Sequence, residues 1–176
     1  MILELRTYDF APGDALRYLG LFAPEGLPLI TRHVHLVGYW MVELGPLNRL
    51  RHLYVHPDLD ARTERRARLI ADRDWTDGFL PRGMALIGRQ ATQLIAPDTL
   101  SDAARTVLAA PHAPLRAHDG PAVGDGWAAL STAPLADAHF TGTVTAGEAV
   151  GTTLSIAPRP DTPALELMRP CAFSPL

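Results

Sequence analysis

The chain has 176 residues, of which 47% are hydrophobic and 20% are charged, and its formal net charge is −3. This composition is typical of a folded globular protein and excludes a chain that is disordered along most of its length. The balance of charges also lacks the basic excess that sequence-independent nucleic-acid binding requires. All 16 basic residues are arginines, which excludes Schiff-base chemistry on a lysine.

The cysteine content and the N-terminal sequence indicate a reducing compartment. Cys171 is the single cysteine, so the chain cannot form an intramolecular disulfide bond. No basic segment followed by an apolar one precedes the first strand-like run, and no apolar run approaches the roughly 18 residues of a membrane span. We therefore expect a cytoplasmic protein without a membrane partner.

The first elements are a strand and a helix. Residues 2–10 alternate between two sets of side chains with period two, which predicts a strand with two differently used faces. Helical spacing of apolar residues follows over residues 13–22. Pro24 and Pro28 lack amide donors and interrupt this spacing. We expect a break there, and then a second helical turn that ends near residue 33.

The next elements complete a recognisable order. Residues 34–44 and 49–55 are rich in β-branched and aromatic side chains, and the turn residues 45–48 lie between them. The arginine-rich residues 60–72 predict a solvated helix, and residues 85–95 predict another strand. The order β-α-β-β-α-β is that of the ferredoxin-like arrangement, an α+β fold.

The composition changes near Pro97, and residues 97–176 contain 10 of the 16 prolines. The sequence therefore divides into a domain over residues 1–96 and a Pro-rich C-terminal extension over residues 97–176. In the extension, residues 99–110 predict a short helix. Four short strands are predicted over residues 127–131, 137–145, 150–157 and 164–168. The extension is interpreted as a lid, a dimer-swapped arm or a degenerate second half, and the sequence leaves these three open.

Several short motifs occur in order within the first domain: residues 4–8 (ELRTY), 26–29 (GLPL), 36–40 (LVGYW), 43–48 (ELGPLN), His52-Leu53 and Trp75. Together they resemble the NIPSNAP family over about residues 1–96. The resemblance implies a dimeric α/β barrel, in which the ferredoxin-like units of two copies associate as a homodimer. It implies no settled activity, because the family lacks one. His56 departs from the family pattern, since members often have a tyrosine at that position.

His52 is the first candidate catalytic residue. It lies in the middle of a predicted strand, where an imidazole needs partners for its ring nitrogens, and its ordinary pKa suits proton transfer near neutral pH. The alternative is a core histidine with satisfied hydrogen bonds. Two hairpin registers, with Met41 or Trp40 opposite His52, both place Tyr54 and an aromatic residue of the preceding strand nearby.

Arg6 and Tyr8 share one face of the first strand with Glu4. In a catalytic site, Arg6 would stabilise an anion or enolate and Tyr8 would donate to a substrate oxygen. The alternative is a Glu4–Arg6 ion pair that satisfies itself. The residues predicted to bind substrate are Trp40, Tyr39, Glu43 and Asn48, although Asn48 also suits a turn.

The motifs favour an enzyme without a cofactor. His33-x-His35 and His52-x-x-x-His56 have metal-like spacings but lack a third ligand, so we predict no metal site. No glycine-rich nucleotide loop and no nucleophile-elbow serine occur. The predicted function is a cofactor-independent isomerase, cyclase or monooxygenase that acts on a small, natural-product-like ligand by proton transfer in a barrel pocket. The alternative is a non-catalytic barrel protein that binds a ligand or a partner.

Overall fold

The computed structural model of the protein describes residues 1–158 and 164–176. It is a mixed α/β structure. The strands are β1 (Ile2–Phe10), β2 (His35–Leu44), β3 (Arg49–His56), β4 (Ile87–Leu100), β5 (Ala128–Ser131), β6 (Phe140–Ala146), β7 (Thr153–Ala157) and β8 (Glu166–Pro170). The helices are α1 (Asp14–Leu21), α2 (Leu27–Ile30), α3 (Leu59–Ala71), α4 (Leu80–Met84) and α5 (Asp102–Ala109).

The break predicted at Pro24 is a widened turn of the helix. The π-helical segment Phe22–Gly26 joins α1 to α2, and a second such segment, Asp74–Phe79, joins the end of the α3 region to α4. Because proline removes a backbone donor and crowds the preceding turn, a π-helical turn lets the chain pass Pro24 without ending the helical path. The prediction that a break separates two helices was therefore wrong, whereas the predicted range of helical residues was right.

The eight strands form one closed barrel in the order β1-β3-β2-β8-β5-β7-β6-β4, with every pair antiparallel. The sequence predicted a barrel completed by a second copy of the chain. In the structure, the edges of the first four strands, β2 and β4, pair with β8 and β6 of the same chain. The C-terminal extension thus supplies the half of the barrel that was expected from a partner subunit.

The boundary predicted at Pro97 falls within β4. The first part of this strand pairs with β1 and its later part pairs with β6, with a register shift between Pro97 and Thr99. A proline in a paired strand is tolerated at such an irregularity because its missing donor is not needed there. The change in composition therefore coincides with a change of pairing partner along one strand.

The β2–β3 hairpin has a register that neither sequence alternative contained. Tyr39 pairs with His52, and Met41 pairs with Leu50. Beyond Met41, β2 pairs only with β8, which leaves a longer connection than the four-residue turn assumed from sequence. The register is consequently shifted by two residues from the first alternative, which keeps every side chain on its expected face.

The barrel interior is filled by apolar side chains from both halves. Leu5 and Leu53 from the first half pack in the same cluster as Phe140 and Met168 from the second. Trp40 also points inward, and a Cβ atom at Gly38 would lie only 2.0 Å from its indole ring. Glycine at this position therefore makes room for the tryptophan, and the interior is a packed core.

An ion cluster inside the barrel fixes β8 against β3. The Arg51 guanidinium donates to both carboxylate oxygens of Glu166 at 2.9 and 2.6 Å, and it also donates to the Thr7 hydroxyl. Arg49 donates to Glu166 at 3.0 Å and to the two oxygens of Asp9 at 2.6 and 3.0 Å. Since Glu166 is 2% exposed, these contacts compensate a buried carboxylate at the seam between the halves.

Helices α1 to α4 cover the outer face of the first half. The outward side chains of β1, β2 and β3 and those of the helices form a second apolar cluster, distinct from the barrel interior. The segment after β8 joins this cluster, because the Phe173 ring packs 5.8 Å from Phe22 and 5.3 Å from Tyr39. The layer between sheet and helices is where the predicted site residues lie.

Candidate functional site

Four predicted catalytic residues come together on the outer face of the first half-barrel. Arg6 and His52 are direct partners in the β1–β3 ladder, and Tyr8 and Tyr54 lie two residues further along each strand. Because strand side chains alternate, all four point toward the helices and away from the barrel interior. The alternation seen in the sequence was sufficient to place them on one face.

His52 is enclosed by tyrosine rings. Its ring stacks on Tyr39 at a centroid distance of 4.8 Å, and the edges of Tyr8 and Tyr54 approach at 4.5 and 5.4 Å. The Nδ1 atom lies 3.0 Å from the Tyr54 hydroxyl, whereas the Nε2 atom has no hydrogen-bond partner among the described residues. The predicted aromatic environment of His52 is confirmed, and one ring nitrogen remains available.

The burial of His52 determines its protonation. Desolvation, with a smaller repulsion from the Arg6 guanidinium, holds the pKa of His52 well below its usual value. Burial also raises the pKa of Tyr8 and of Tyr54. At neutral pH the cluster therefore consists of a neutral imidazole and protonated phenols, which can accept and donate hydrogen bonds without carrying charge.

Glu4 does not pair with Arg6, as one sequence interpretation expected. Its carboxylate accepts two hydrogen bonds from Arg62 of α3, at 2.8 and 3.0 Å, and a third contact at 3.0 Å joins it to Nε2 of His56. Burial opposes ionisation of Glu4, but the hydrogen bonds from His56 and Arg62 prevail and lower its pKa to about 2. Hence Glu4 pairs with Arg62 and His56, and the Nδ1 atom of His56 has no hydrogen-bond partner among the described residues. Glu4 attracts the Arg6 guanidinium but forms no ion pair with it.

Arg6 lies between the surface and the tyrosine rings. Its Nη2 atom donates to the exposed Gln90 at 3.3 Å, and its guanidinium carbon lies 5.5 Å from the centre of the Tyr8 ring. The Nε atom is shielded from solvent and has no hydrogen-bond partner in the described ranges. A second arginine, Arg66 of α3, lies close enough that Arg6 depresses its pKa in addition to the larger effect of burial.

The residues predicted to bind substrate divide into two groups. Tyr39 stacks on His52, as described, but Trp40 points into the barrel interior and so lies on the other side of the sheet. Glu43 lies four residues beyond Tyr39 along β2, about 13 Å at the usual rise per residue. Asn48 has a left-handed backbone (φ 55°), and its carbonyl accepts from the Phe10 amide at 2.9 Å. Asn48 is thus a turn-forming residue, and only Tyr39 of this set contacts His52.

Sequence reasoning missed the contribution of the C-terminal residues. The Tyr39 amide donates to the Ser174 hydroxyl, and the Tyr39 carbonyl accepts from the Cys171 amide, both at 2.8 Å. The Phe173 ring packs against the Tyr39 ring in an edge-to-face contact. No periodicity in the extension indicated these contacts, and the three prolines between residues 111 and 121 suggested only a loop.

No metal centre or membrane span is evident in the part of the chain that the structure describes. Within residues 1–158 and 164–176, no three histidine, cysteine or acidic side chains are grouped so that they could bind a metal ion. No helix in the same ranges is long and apolar enough to cross a membrane. Cys171 is buried, and burial raises the pKa of its thiol, so it is a packing residue.

The first half of the chain matches a known family. The NIPSNAP family model matches residues 3–102, which is more than half of the chain. The chain belongs to the NIPSNAP family. It is 35% identical over 92 residues to Protein NipSnap homolog 3A of Homo sapiens, a match that covers 52% of this chain and 37% of that protein. The alignment therefore spans little more than a third of the curated relative.

Some similar solved structures match little more than half of this chain, and another matches nearly all of it. Protein Atu4242 from Agrobacterium tumefaciens is 38% identical, with a TM-score of 0.56, and the match covers 58% of this chain and 98% of that one. A NIPSNAP domain protein from Burkholderia xenovorans is 31% identical, with a TM-score of 0.55, and the match covers 57% and 98% of the two chains. An anthrone oxidase-like protein matches 98% of this chain and 92% of its own, with a TM-score of 0.54 at 6% identity, which shows a shared fold alone.

Proposed function

We propose that the protein is a cofactor-independent enzyme that moves a proton on a small, natural-product-like molecule bound at the His52 cluster, with isomerisation or cyclisation as the outcome. The observation that carries this proposal is the free Nε2 atom of a neutral, buried His52 beside an Arg6 cation that has no acidic partner. A neutral imidazole accepts a proton, and a nearby cation stabilises the oxyanion that results when a proton leaves a carbon next to a carbonyl group.

The tautomer of His52 follows from this role. If Nδ1 carries the hydrogen and donates to the Tyr54 hydroxyl across their 3.0 Å contact, Nε2 presents its lone pair. Tyr54 then orients the imidazole, and Tyr8, whose ring lies 4.5 Å from it, donates to a substrate oxygen. The low pKa of His52 makes it a weak base, and an anionic substrate between Arg6 and His52 would raise that pKa by offsetting the repulsion from Arg6.

We also infer that residues 97–176 are a degenerate second ferredoxin-like half and that their last residues seal the site. Phe173, Ser174 and Cys171 contact Tyr39 directly, so they exclude water from one side of the His52 cluster. Exclusion of water strengthens the electrostatic effect of Arg6 on a bound anion.

Non-catalytic binding is the second candidate, and one observation favours it. Five cavities in the described residues are lined by other side chains, and neither Arg6 nor His52 borders any of these five. His52 is 2% exposed, so a ligand reaches it only if side chains around it move. A protein that binds at Arg6 without reaching His52 would give a ligand-induced signal but no turnover.

Exchange of carbon-bound hydrogen in D2O tests the proposal without knowledge of the product. Pyruvate and acetoacetate, which carry acidic C–H groups beside a carbonyl, are incubated with the protein, and loss of the C–H signal is followed by proton NMR. We expect faster exchange with the wild type than with buffer, and a loss of about 10² to 10⁴ in rate for His52→Phe. Equal exchange by wild type and variant, with a lower melting temperature for His52→Phe, would assign His52 to the scaffold.

A further inference from the structure

Two arginines of α3 lie above two residues of β1 with matched spacing. Arg62 and Arg66 are four residues apart, which is about 6 Å along a helix, and Glu4 and Arg6 are two residues apart, about 6.6 Å along a strand. Arg62 donates to Glu4 at 2.8 Å, so Arg66 lies one helical turn further along, beside Arg6. The first pair has opposite charges, whereas the second pair consists of two cations.

The two cations have no acidic partner within the chain as described. Neither Arg6 nor Arg66 forms an ion pair with any residue in the ranges 1–158 and 164–176. Glu4 attracts both guanidinium groups, but its carboxylate is bound by Arg62 and His56. Burial, and then repulsion from Arg6, lowers the pKa of Arg66. Two partly buried guanidinium groups held together in this way create a local positive potential that an anion would relieve.

We infer that Arg6 and Arg66 form a subsite for the carboxylate of a small planar acid, whose unsaturated body lies against the Tyr8 ring and toward His52. A guanidinium group binds a carboxylate through two parallel hydrogen bonds, and the shielded Nε of Arg6 is a free donor for one of them. This inference names the substrate class of the proposed enzyme and rests on that proposal only for the role of His52. Binding of the acid does not depend on turnover.

The open side of this subsite lies between α3 and β4. Gln90 is exposed at its rim, where its carbonyl oxygen accepts from Arg6 and its amide nitrogen lies 3.4 Å from the sulfur of Met84. Arg66 of α3 is also only partly buried, and it lies close enough to Arg6 for their charges to repel. Both guanidinium groups are therefore partly accessible to a carboxylate from solvent.

Benzoate, benzamide and inorganic phosphate are suitable probes, because benzamide has the shape of benzoate without its charge. Calorimetric titration is carried out on the wild type, on Arg66→Gln and on Arg68→Gln, an exposed arginine of the same helix that pairs with Glu64. We expect the wild type and Arg68→Gln to bind benzoate equally and to bind benzamide far more weakly. Arg66→Gln should weaken benzoate binding by about tenfold or more, since a charge-assisted contact is lost.

The melting temperature without ligand separates a binding role from a structural one. Arg66→Gln removes a like-charge repulsion, so we expect its unliganded form to melt at the same temperature as the wild type or higher. Equal benzoate affinity in the wild type and Arg66→Gln, or preference for phosphate over benzoate, would overturn the assignment. Benzoate binding by the wild type that depends on Arg66, with no exchange of carbon-bound hydrogen in pyruvate or acetoacetate above the rate in buffer, would overturn the catalytic proposal and leave the subsite intact.

Discussion

The two halves of the barrel have the same strand order but different outer faces. The strand order is β2-β3-β1-β4 in the first half and β6-β7-β5-β8 in the second. Each strand of the second half therefore has a number four higher than its counterpart in the first half. Matching the ladders equates Arg6 with Ser131 and His52 with Ser155. The two places where the halves pair, β2 with β8 and β4 with β6, confirm this alignment. It equates Trp40 with Gly142 and Pro170 with Pro97, and Trp40 pairs with Pro170 just as Gly142 pairs with Pro97.

The equivalent positions carry very different chemistry. The paired residues Tyr39 and His52 of the first half correspond to the paired residues Thr141 and Ser155 of the second, whose hydroxyls are 2.9 Å apart. The two hydroxyl groups form a hydrogen bond with each other, and these positions carry neither an imidazole base nor a cation. The second half therefore retains the strand pairing that closes the barrel and lacks the residues of the His52 cluster.

The connections explain why the outer faces differ. In the first half, β1 and β2 are joined by α1, a π-helical turn and α2, whereas residues 132–139 join β5 to β6 without a helix. A cavity of about 730 Å³ lies beside Thr141, bounded by Leu135 and Thr153. Because the β5–β6 connection contributes no covering helix, the second half completes the core without enclosing a histidine at the position equivalent to His52.

Removal of residues 102–176 is expected to have the largest effect on this comparison. The fragment would lose the strands that pair with β2 and β4 and would expose interior side chains such as Leu5 and Ile95. Unpaired edges favour association with another copy, so we expect dimers or larger assemblies. Light scattering is the measurement, and a folded, monomeric fragment would contradict the expectation. The same measurement on the full chain tests the predicted homodimer. Since β2 and β4 are already paired within the chain, such a dimer would have to form through another surface.

Glu166→Gln tests the seam between the halves. This change removes the charge that compensates Arg51 and Arg49 inside the barrel, and loss of one partner of a buried ion pair costs on the order of 3 kcal/mol. Asp125→Asn is the control, because Asp125 is exposed and its contact with Arg169 is long, at 3.8 Å. Urea unfolding should show a clear drop in midpoint for Glu166→Gln and little change for the control. Equal midpoints would mean that the cluster does not stabilise the seam.

The first half was largely predictable because local patterns determine it. Residues 2–10 form β1 as predicted, and period-two alternation placed Arg6, Tyr8, His52 and Tyr54 on one face. The four strands of the second half were also predicted in place. Their pairing with β2 and β4 was not predicted, because it joins residues 40 or more positions apart and leaves no local pattern.

The subsite formed by Arg6 and Arg66 shows a second limit of sequence reasoning. The arginine-rich α3 was interpreted as a solvated helix, which is correct for Arg68. Arg62 and Arg66 differ only because they face β1, and the register between a helix and a sheet depends on tertiary packing. No pattern in the sequence indicated that Arg62 contacts Glu4 and that Arg66 lies beside Arg6.

The smallest expected effect is a pH dependence of stability that is specific to the first half. Burial and the Arg6 charge depress the pKa of His52 in the folded state, with Glu4 acting weakly in the opposite direction and the neutral Tyr8, Tyr39 and Tyr54 around the ring. The unfolded chain therefore binds a proton at His52 below about pH 6.5 that the folded chain does not bind. Stability contributed by His52 is present above that pH and is lost as the pH falls below it.

The matched pair His52→Phe and Ser155→Ala isolates this effect. One differentially bound proton changes the free energy of unfolding by at most about 1.4 kcal/mol per pH unit. Urea unfolding between pH 7.5 and 5.5 should show the wild type and Ser155→Ala losing stability in parallel, and His52→Phe losing less. The remaining slope is expected from His35 and His139, whose pKa values are also lowered by burial. Parallel curves for all three proteins would show that His52 does not titrate in this way, and the neutral base that the catalytic proposal requires would lose its support.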